Sequence, residues 1–124
     1  MQALLIVEDD DNLRKLYTQE FAEEGYRVLP AANGHEAMQV LEREKPDLAI
    51  LDLVMPGADG IELLGRFVKQ TPQIPVVLNT AYPVYRNNYL TWSADAYVIK
   101  SSDLSELKQT IRAVLDRNHA EADP

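Results

Sequence analysis

The sequence predicts an α/β domain in which helices cover both faces of one parallel sheet. Five short apolar runs alternate along the chain with amphipathic stretches of about three helical turns, which is typical of repeated strand–helix units. The apolar runs are nearly continuous, as expected for strands that are buried on both sides of a parallel sheet. At 124 residues, the chain is long enough for a single domain to bury its own core.

The five apolar runs are the predicted strands, because each is too short for a helix and is rich in Val, Ile, Leu or Tyr. They span residues 3–7, 26–29, 48–51, 76–78 and 96–99. Glycine and proline mark the turns that lead from a helix into the next strand. These turn residues are Gly25, Pro46, Pro72 and Pro75.

The predicted helices carry apolar residues three or four positions apart, which is the spacing of one helix face. Helix starts are marked by a capping residue followed three positions later by an acid. These pairs are Asn33 with Glu36, Asp59 with Glu62, and Asp103 with Glu106. Asp10 or Asp11 is predicted to cap the first helix. We expect the domain to occupy residues 1–117 and residues 118–124 to form a polar tail, with no output domain.

Composition excludes several classes of function. The chain has no cysteine, which excludes disulfide scaffolds, thiolate metal sites and cysteine nucleophiles. Its formal net charge of −8 argues against a nucleic-acid partner, because such binding depends on neutralising phosphates with Lys and Arg. No apolar run approaches the roughly 18 residues of a membrane span, and the N-terminus shows no basic leader. We therefore expect a cytoplasmic domain without a membrane partner.

Polar side chains stand where the predicted strands end. Glu8 and Asp9 follow the first strand, Asp52 the third, Thr80 the fourth and Lys100 the fifth. Ligands of open α/β sheets bind outside the carboxyl ends of the strands. We therefore expect these carboxylates, the hydroxyl and the ammonium group to converge on one edge of the sheet.

The acids of this edge indicate a cation site. Close carboxylates repel one another, so such a cluster favours a bound cation. Oxygen ligands without His or Cys suit Mg²⁺, which keeps waters and often a phosphate in its shell. Such an ion beside a carboxylate, a hydroxyl and a lysine suits phosphoryl transfer, in which a carboxylate oxygen can be the nucleophile.

Five segments, taken in order, resemble the receiver domain of response regulators in two-component signal transduction, the CheY-like superfamily. The resemblance covers nearly the whole chain. The segments are residues 5–10 (LIVEDD), 46–57 (PDLAILDLVMPG), 59–60 (DG), 76–81 (VVLNTA) and 96–100 (AYVIK). The resemblance implies a flavodoxin-like, doubly wound fold of five strand–helix units, with a parallel sheet in the order 2-1-3-4-5.

The same resemblance implies the acceptor and the metal ligands. Asp52 corresponds to the phosphoacceptor. Glu8 and Asp9 correspond to the acid pair, of which Asp9 binds Mg²⁺ directly and Glu8 acts mainly through water. Asp52 and the backbone carbonyl of Val54 are implied as the remaining protein ligands of the ion.

Other residues are implied to stabilise the phosphoryl group and to report its presence. Lys100 pairs with the acceptor carboxylate and then with the phosphoryl group. Thr80 hydrogen-bonds a phosphoryl oxygen, and Tyr97 turns inward behind it. Val54 and Tyr82 are expected to tune the lifetime of the phosphorylated state by excluding or misplacing the attacking water, which predicts slow autodephosphorylation.

The resemblance also implies the partners. The phosphoryl donor is a phosphohistidine on a sensor histidine kinase or a histidine phosphotransfer protein. Phosphorylation is expected to shift the conformation of the surface around the fourth and fifth strands and so to control binding of a downstream protein. The chain is then no conventional enzyme, although it promotes its own Mg²⁺-dependent phosphorylation and autodephosphorylation.

Two features depart from the family pattern. Ser101 stands where the family usually has proline after the lysine. Because a cis bond before a non-proline residue costs about 2.5–4 kcal/mol, we predict a trans Lys100–Ser101 peptide with a re-routed loop, or a strained one. The segment before Lys100 is short and rich in aromatic residues. Tyr85, Tyr89 and Trp92 have the spacing of one helix face, which predicts either a core stripe or an aromatic partner surface.

Other functions stay open at this point. A flavodoxin-like cofactor module needs a phosphate-friendly loop after the first strand, where residues 8–11 are acidic. A phosphatase with an Asp nucleophile needs a second carboxylate two residues later, where Val54 stands. The main alternative is a receiver-like scaffold that does not accept phosphate, which Ser101 and the altered aromatic segment would fit.

Overall fold

The computed structural model describes residues 1–52, 54–55, 58–81 and 94–122 of the chain. The elements in these ranges are β1 (Ala3–Val7), α1 (Asp11–Glu23), β2 (Arg27–Ala31), α2 (Gly34–Arg43), β3 (Leu48–Leu51), β4 (Val54–Met55), β5 (Ala58–Asp59), α3 (Gly60–Gln70), β6 (Val76–Thr80), β7 (Ala96–Ile99) and α4 (Ser105–Ala122). The expected helix between β6 and β7, with its aromatic residues, falls in residues 82–93, outside the described ranges.

The main sheet has five strands in the order β2-β1-β3-β6-β7. Every neighbouring pair in it is parallel. Since β6 and β7 are the fourth and fifth predicted strands, this is the 2-1-3-4-5 order, and the predicted fold class is confirmed. A second, antiparallel sheet joins β4 to β5, with Val54 opposite Asp59. The sequence did not predict this pair, because strands of two residues carry no periodic signal.

The core consists of two apolar layers, one on each face of the sheet. Successive residues of a strand point to opposite faces, so Leu5 and Val7 join one layer while Leu4 and Ile6 join the other. The first layer takes residues from α2 and α3, and the second takes residues from α1 and α4. This arrangement buries β1 and β3 completely, as the continuous apolar runs predicted.

Predicted caps set the starts of the helices. Asp10 Oδ1 accepts a hydrogen bond from the amide of Leu13 at 3.0 Å and so caps α1. At α2, Asn33 Oδ1 accepts from the amide of Glu36 at 2.9 Å, while the Glu36 carboxylate accepts from the amide of Ala32 at 2.8 Å. This arrangement resembles a capping box, except that the Glu36 carboxylate binds the amide one residue before the N-cap.

The other two predicted capping residues, Asp103 and Asp59, lie just before the helices that they were predicted to start. Asp103 Oδ1 accepts from the amide of Ser105, the first residue of α4, at 2.9 Å, and Asp59 ends β5 directly before α3. After α1, Gly25 has a φ of +97°, a conformation that only glycine adopts without strain.

β2 begins one residue later than predicted, at Arg27, and three elements end later than predicted. β2 continues through Pro30 to Ala31, because an edge strand tolerates a residue that cannot donate a hydrogen bond. β6 continues through Thr80, which lies opposite Ile99 in the parallel ladder. α4 extends to Ala122, so the predicted polar tail after residue 117 is helical through residue 122. Its Ala and Glu residues favour a helix without needing a buried face.

Candidate functional site

The carboxylates of Glu8, Asp9 and Asp52 gather at the carboxyl ends of β1 and β3, which are neighbours in the sheet. Each residue offers one carboxylate oxygen, and these oxygens all lie within 4.8 Å of one another. Glu8 and Asp52 are only 2% and 5% exposed, and Asp9 is partly buried. Such burial of acids is costly unless the charges are compensated. The positions of these acids directly after two predicted strands had predicted that their carboxylates meet at one edge of the sheet.

Lys100 supplies a cation to this cluster from the end of β7. Its Nζ lies 2.7 Å from Asp52 Oδ2 and 2.7 Å from Glu8 Oε1. Burial alone would lower the pKa of Lys100, but the hydrogen bonds and charges of Asp52 and Glu8 outweigh burial and raise that pKa. The lysine is therefore charged at neutral pH.

Both oxygens of the Glu8 carboxylate are engaged. Oε1 faces Lys100, and Oε2 accepts a hydrogen bond from the amide of Asp10 at 3.1 Å. Burial raises the pKa of Glu8, and the charge of Asp52 adds to this effect, while Lys100 and the Asp10 amide oppose it.

The donor set of this cluster fits a hard divalent cation. It consists of three acids, two of them buried, and each offers one carboxylate oxygen to the cluster. Carboxylate oxygens without nitrogen or sulfur ligands suit Mg²⁺. Val54, whose carbonyl is the fourth predicted ligand, follows Asp52 by two residues and lies in β4.

The two predicted switch residues lie on adjacent strands. Thr80 is fully buried at the end of β6, and its carbonyl accepts a hydrogen bond from the amide of Lys100 at 2.9 Å. Tyr97 lies in β7 opposite Leu78, and it packs on the same apolar layer as Leu78. Because side chains alternate along a strand, Thr80 and Tyr97 face the same side of the sheet.

The predicted positions around the acceptor are described only in part. The side chain of Val54 and the whole of Tyr82 lie outside the described residues. None of the described peptide bonds is cis, so the Lys100–Ser101 peptide is trans, while the predicted re-routing of its loop stays a prediction. Ser101 Oγ accepts a hydrogen bond from the amide of Asp103 at 3.1 Å in the loop that follows.

Sequence reasoning missed two features next to the site. Arg14 donates hydrogen bonds to the backbone carbonyls of Glu8 and Asp9, and the only sequence signal near it is its i,i+3 spacing from Asp11, which does not indicate these contacts. Asn79 Nδ2 donates to the hydroxyl of Tyr17 at 3.1 Å inside the core. The sequence signal for this contact was Asn79 itself, a polar residue within a buried strand that needs a hydrogen-bond partner.

The fold and the site define a CheY-like α/β domain with a buried acid cluster and a lysine at the carboxyl edge of its sheet. The family model for the response regulator receiver domain matches residues 4–112. The chain belongs to this family and is a receiver domain of two-component systems, which are signalling modules.

Curated relatives agree with this assignment. The transcriptional regulatory protein AfsQ1 of Streptomyces coelicolor is 38% identical over 98% of this chain and 55% of its own length. The sporulation initiation phosphotransferase F of Bacillus subtilis is 34% identical over 92% of this chain and 94% of its own length. The chain thus spans about half of the first relative and nearly all of the second.

Solved structures show the same fold. The response regulator protein TrrA of Thermotoga maritima, in complex with Mg(2+)-BeF, is 39% identical, with a TM-score of 0.88 over 92% of this chain and 99% of that chain. TrrA in complex with the histidine kinase ThkA gives a TM-score of 0.86 at 40% identity, over 93% of this chain and 99% of that chain. Across the described part of this chain, no helix has the length and apolar character needed to cross a bilayer.

Proposed function

We propose that this chain is a phosphoacceptor, which takes a phosphoryl group onto Asp52 from a phosphohistidine of a partner protein in the presence of Mg²⁺. One observation carries the proposal. The buried Asp52 carboxylate lies 2.7 Å from Lys100 and groups with the oxygens of Glu8 and Asp9. A nucleophilic carboxylate, a cation and two further acids are the groups that acyl-phosphate formation needs.

The transfer would break the N–P bond of the phosphohistidine and form an O–P bond to a carboxylate oxygen of Asp52. The electron pair of the broken bond returns to the histidine nitrogen. Glu8, Asp9, Asp52 and the carbonyl of Val54 would hold Mg²⁺. When bound, the ion would neutralise charge on the phosphoryl oxygens. Lys100, already at Asp52, would donate to a phosphoryl oxygen.

The response would pass through Thr80 and Tyr97. Thr80 stands at the end of β6, next to β3, which Asp52 directly follows, and its hydroxyl would donate a hydrogen bond to a phosphoryl oxygen. Tyr97 is partly buried on the same face of the neighbouring strand, and it would turn inward behind Thr80. A surface around β6 and β7 would then change its population of conformers.

The partners follow from the same chemistry. A phosphohistidine donor is carried by a sensor histidine kinase or by a histidine phosphotransfer protein, and the relative TrrA was solved with a histidine kinase. We place this chain in a two-component system or phosphorelay in the cytoplasm, where it signals to a downstream protein. Its own contribution is to promote Mg²⁺-dependent phosphorylation and autodephosphorylation.

Intact-mass measurement after incubation with Mg²⁺ and acetyl phosphate tests the proposal. We expect the wild-type chain to gain one phosphoryl group and the Asp52→Asn variant to gain none. Asp116→Asn, which removes an exposed carboxylate from α4, is the matched control and should be phosphorylated like the wild type. Absence of any gain in the wild type would favour a phosphorylation-independent scaffold.

A further inference from the structure

Arg14 folds back from the first turn of α1 over the loop that carries Glu8 and Asp9. Its Nη1 donates to the carbonyl oxygen of Glu8 at 2.9 Å and lies 3.4 Å from that of Asp9. Its Nη2 pairs with Asp11 Oδ1 at 2.5 Å. The side chain is only 20% exposed, so most of it is shielded from solvent.

The two carbonyls that Arg14 binds belong to the two peptide groups on either side of the Asp9 Cα. Fixing both peptide planes fixes the direction in which the Asp9 side chain leaves the backbone. Both contacts come from Nη1, whose N–H groups lie in the rigid plane of the guanidinium fork, whereas a lysine ammonium has no second nitrogen that could fix its direction. The pair with Asp11 holds the far side of the fork in place.

We propose that Arg14 is a positioning residue for the metal site, which orients Asp9 and Glu8 for Mg²⁺ through the loop backbone without touching the ion. This inference rests on the proposed function, because it presumes that the acid cluster binds Mg²⁺. Groups that orient metal ligands from behind typically alter metal affinity by about 10- to 100-fold when they are removed.

The charge of Arg14 and its orienting hydrogen bonds should have opposite effects on the affinity for Mg²⁺. Removing a positive charge close to a cation site strengthens cation binding by Coulomb attraction alone. Loss of the hydrogen bonds that orient Asp9 and Glu8 should instead weaken Mg²⁺ binding. Arg14→Met removes both the charge and the fork, and Arg14→Lys keeps the charge but removes the fork. Weaker binding in both variants is therefore specific to orientation.

The experiment is titration calorimetry of the full chain with MgCl₂, at a temperature well below the thermal midpoint of each metal-free variant. We expect the Kd for Mg²⁺ to rise roughly 10-fold in Arg14→Lys and in Arg14→Met. Arg66→Met is the matched control, because it removes the same charge from an exposed pair with Glu62 on α3. Its Kd should equal that of the wild type.

Unchanged affinity in Arg14→Lys, or tighter binding in Arg14→Met, would overturn the inference while the proposed function stands. If Arg14→Met does not fold, Arg14→Lys decides alone. A wild-type chain that binds no Mg²⁺ overturns the metal site itself and this inference with it.

Discussion

Lys100 Nζ lies 2.7 Å from Asp52 Oδ2, and the same nitrogen lies 2.7 Å from Glu8 Oε1. Both carboxylates also belong to the group proposed to hold Mg²⁺. A carboxylate that is engaged in an ion pair is a weaker metal ligand. The lysine therefore compensates the buried acids in the metal-free protein and competes with the ion for them.

Replacing Lys100 with Met should make Mg²⁺ bind more tightly while the metal-free fold becomes less stable. The Coulomb attraction of the acids for the ion is no longer offset, so we expect the Kd to fall by roughly 10-fold. Two buried carboxylates lose their cation, which should lower the free energy of unfolding by about 3 kcal/mol. Saturating Mg²⁺ should restore much of that loss. Calorimetry and urea unfolding, with and without Mg²⁺, measure both quantities.

The control for this prediction is Lys108→Met. Lys108 pairs with Glu20 and Glu24 between α1 and α4, away from the acid cluster. The same charge is lost, so its Kd for Mg²⁺ should stay at the wild-type value. A Lys100→Met variant that binds Mg²⁺ no more tightly than this control contradicts the competition.

Most of the fold could be predicted from the sequence because its signals are local. The apolar runs that end in Val7 and Leu51 are each followed by an acid, and the rule for parallel sheets brings those strand ends together. The cap that Asn33 forms with the amide of Glu36 is likewise a pattern of residues close together in the sequence. These features need no knowledge of how distant elements pack.

The rest of the site depends on packing across the sheet. Tyr17 belongs to an apolar helix stripe, and Asn79 follows an apolar run, so neither sequence pattern names the other as a partner. Their contact arises only when α1 packs on the face of β6 that carries Asn79. The same holds for Arg14, because a long side chain on a first helical turn can point to solvent or back over the loop.

Replacing Val54 with Asn and Tyr82 with Glu should shorten the half-life of the phosphorylated chain several-fold. Polar groups beside the acyl phosphate can admit and orient the water that hydrolyses it. The measurement follows loss of the phosphoryl group by intact mass after the donor is removed. Gln39→Glu, which adds the same charge on the exposed face of α2, should leave the half-life unchanged. An unaltered half-life in the double variant removes both positions from lifetime control.

Tyr17 and Asn79 should stabilise the fold as a pair. Tyr17→Phe leaves the Asn79 amide buried with a lost partner, which should cost about 1–2 kcal/mol of unfolding free energy. A double-mutant cycle with Asn79→Ala should give a coupling energy of about 1 kcal/mol. Urea unfolding of the metal-free chain measures both values. Tyr26→Phe is the control, since the Tyr26 hydroxyl has no hydrogen-bond partner among the described residues and its ring still faces Arg112.

The same hydroxyl should make stability depend on alkaline pH. Burial raises the pKa of Tyr17 above its ordinary value, and the charges of Glu8 and Asp52 add to this, while the hydrogen bond from Asn79 and the charge of Lys100 oppose it. The folded chain therefore holds this proton more tightly than the unfolded chain does. That contribution is fully present below the ordinary tyrosine pKa of about 10 and is lost as the pH rises through the raised value.

The stability difference between the wild type and Tyr17→Phe should thus shrink as the pH rises above about 10, when both are unfolded in urea at matched salt. A difference that stays constant would mean that the Tyr17 phenol ionises as readily in the folded chain as in the unfolded one, and a difference that grows would mean that it ionises more readily in the folded chain; either result contradicts the prediction.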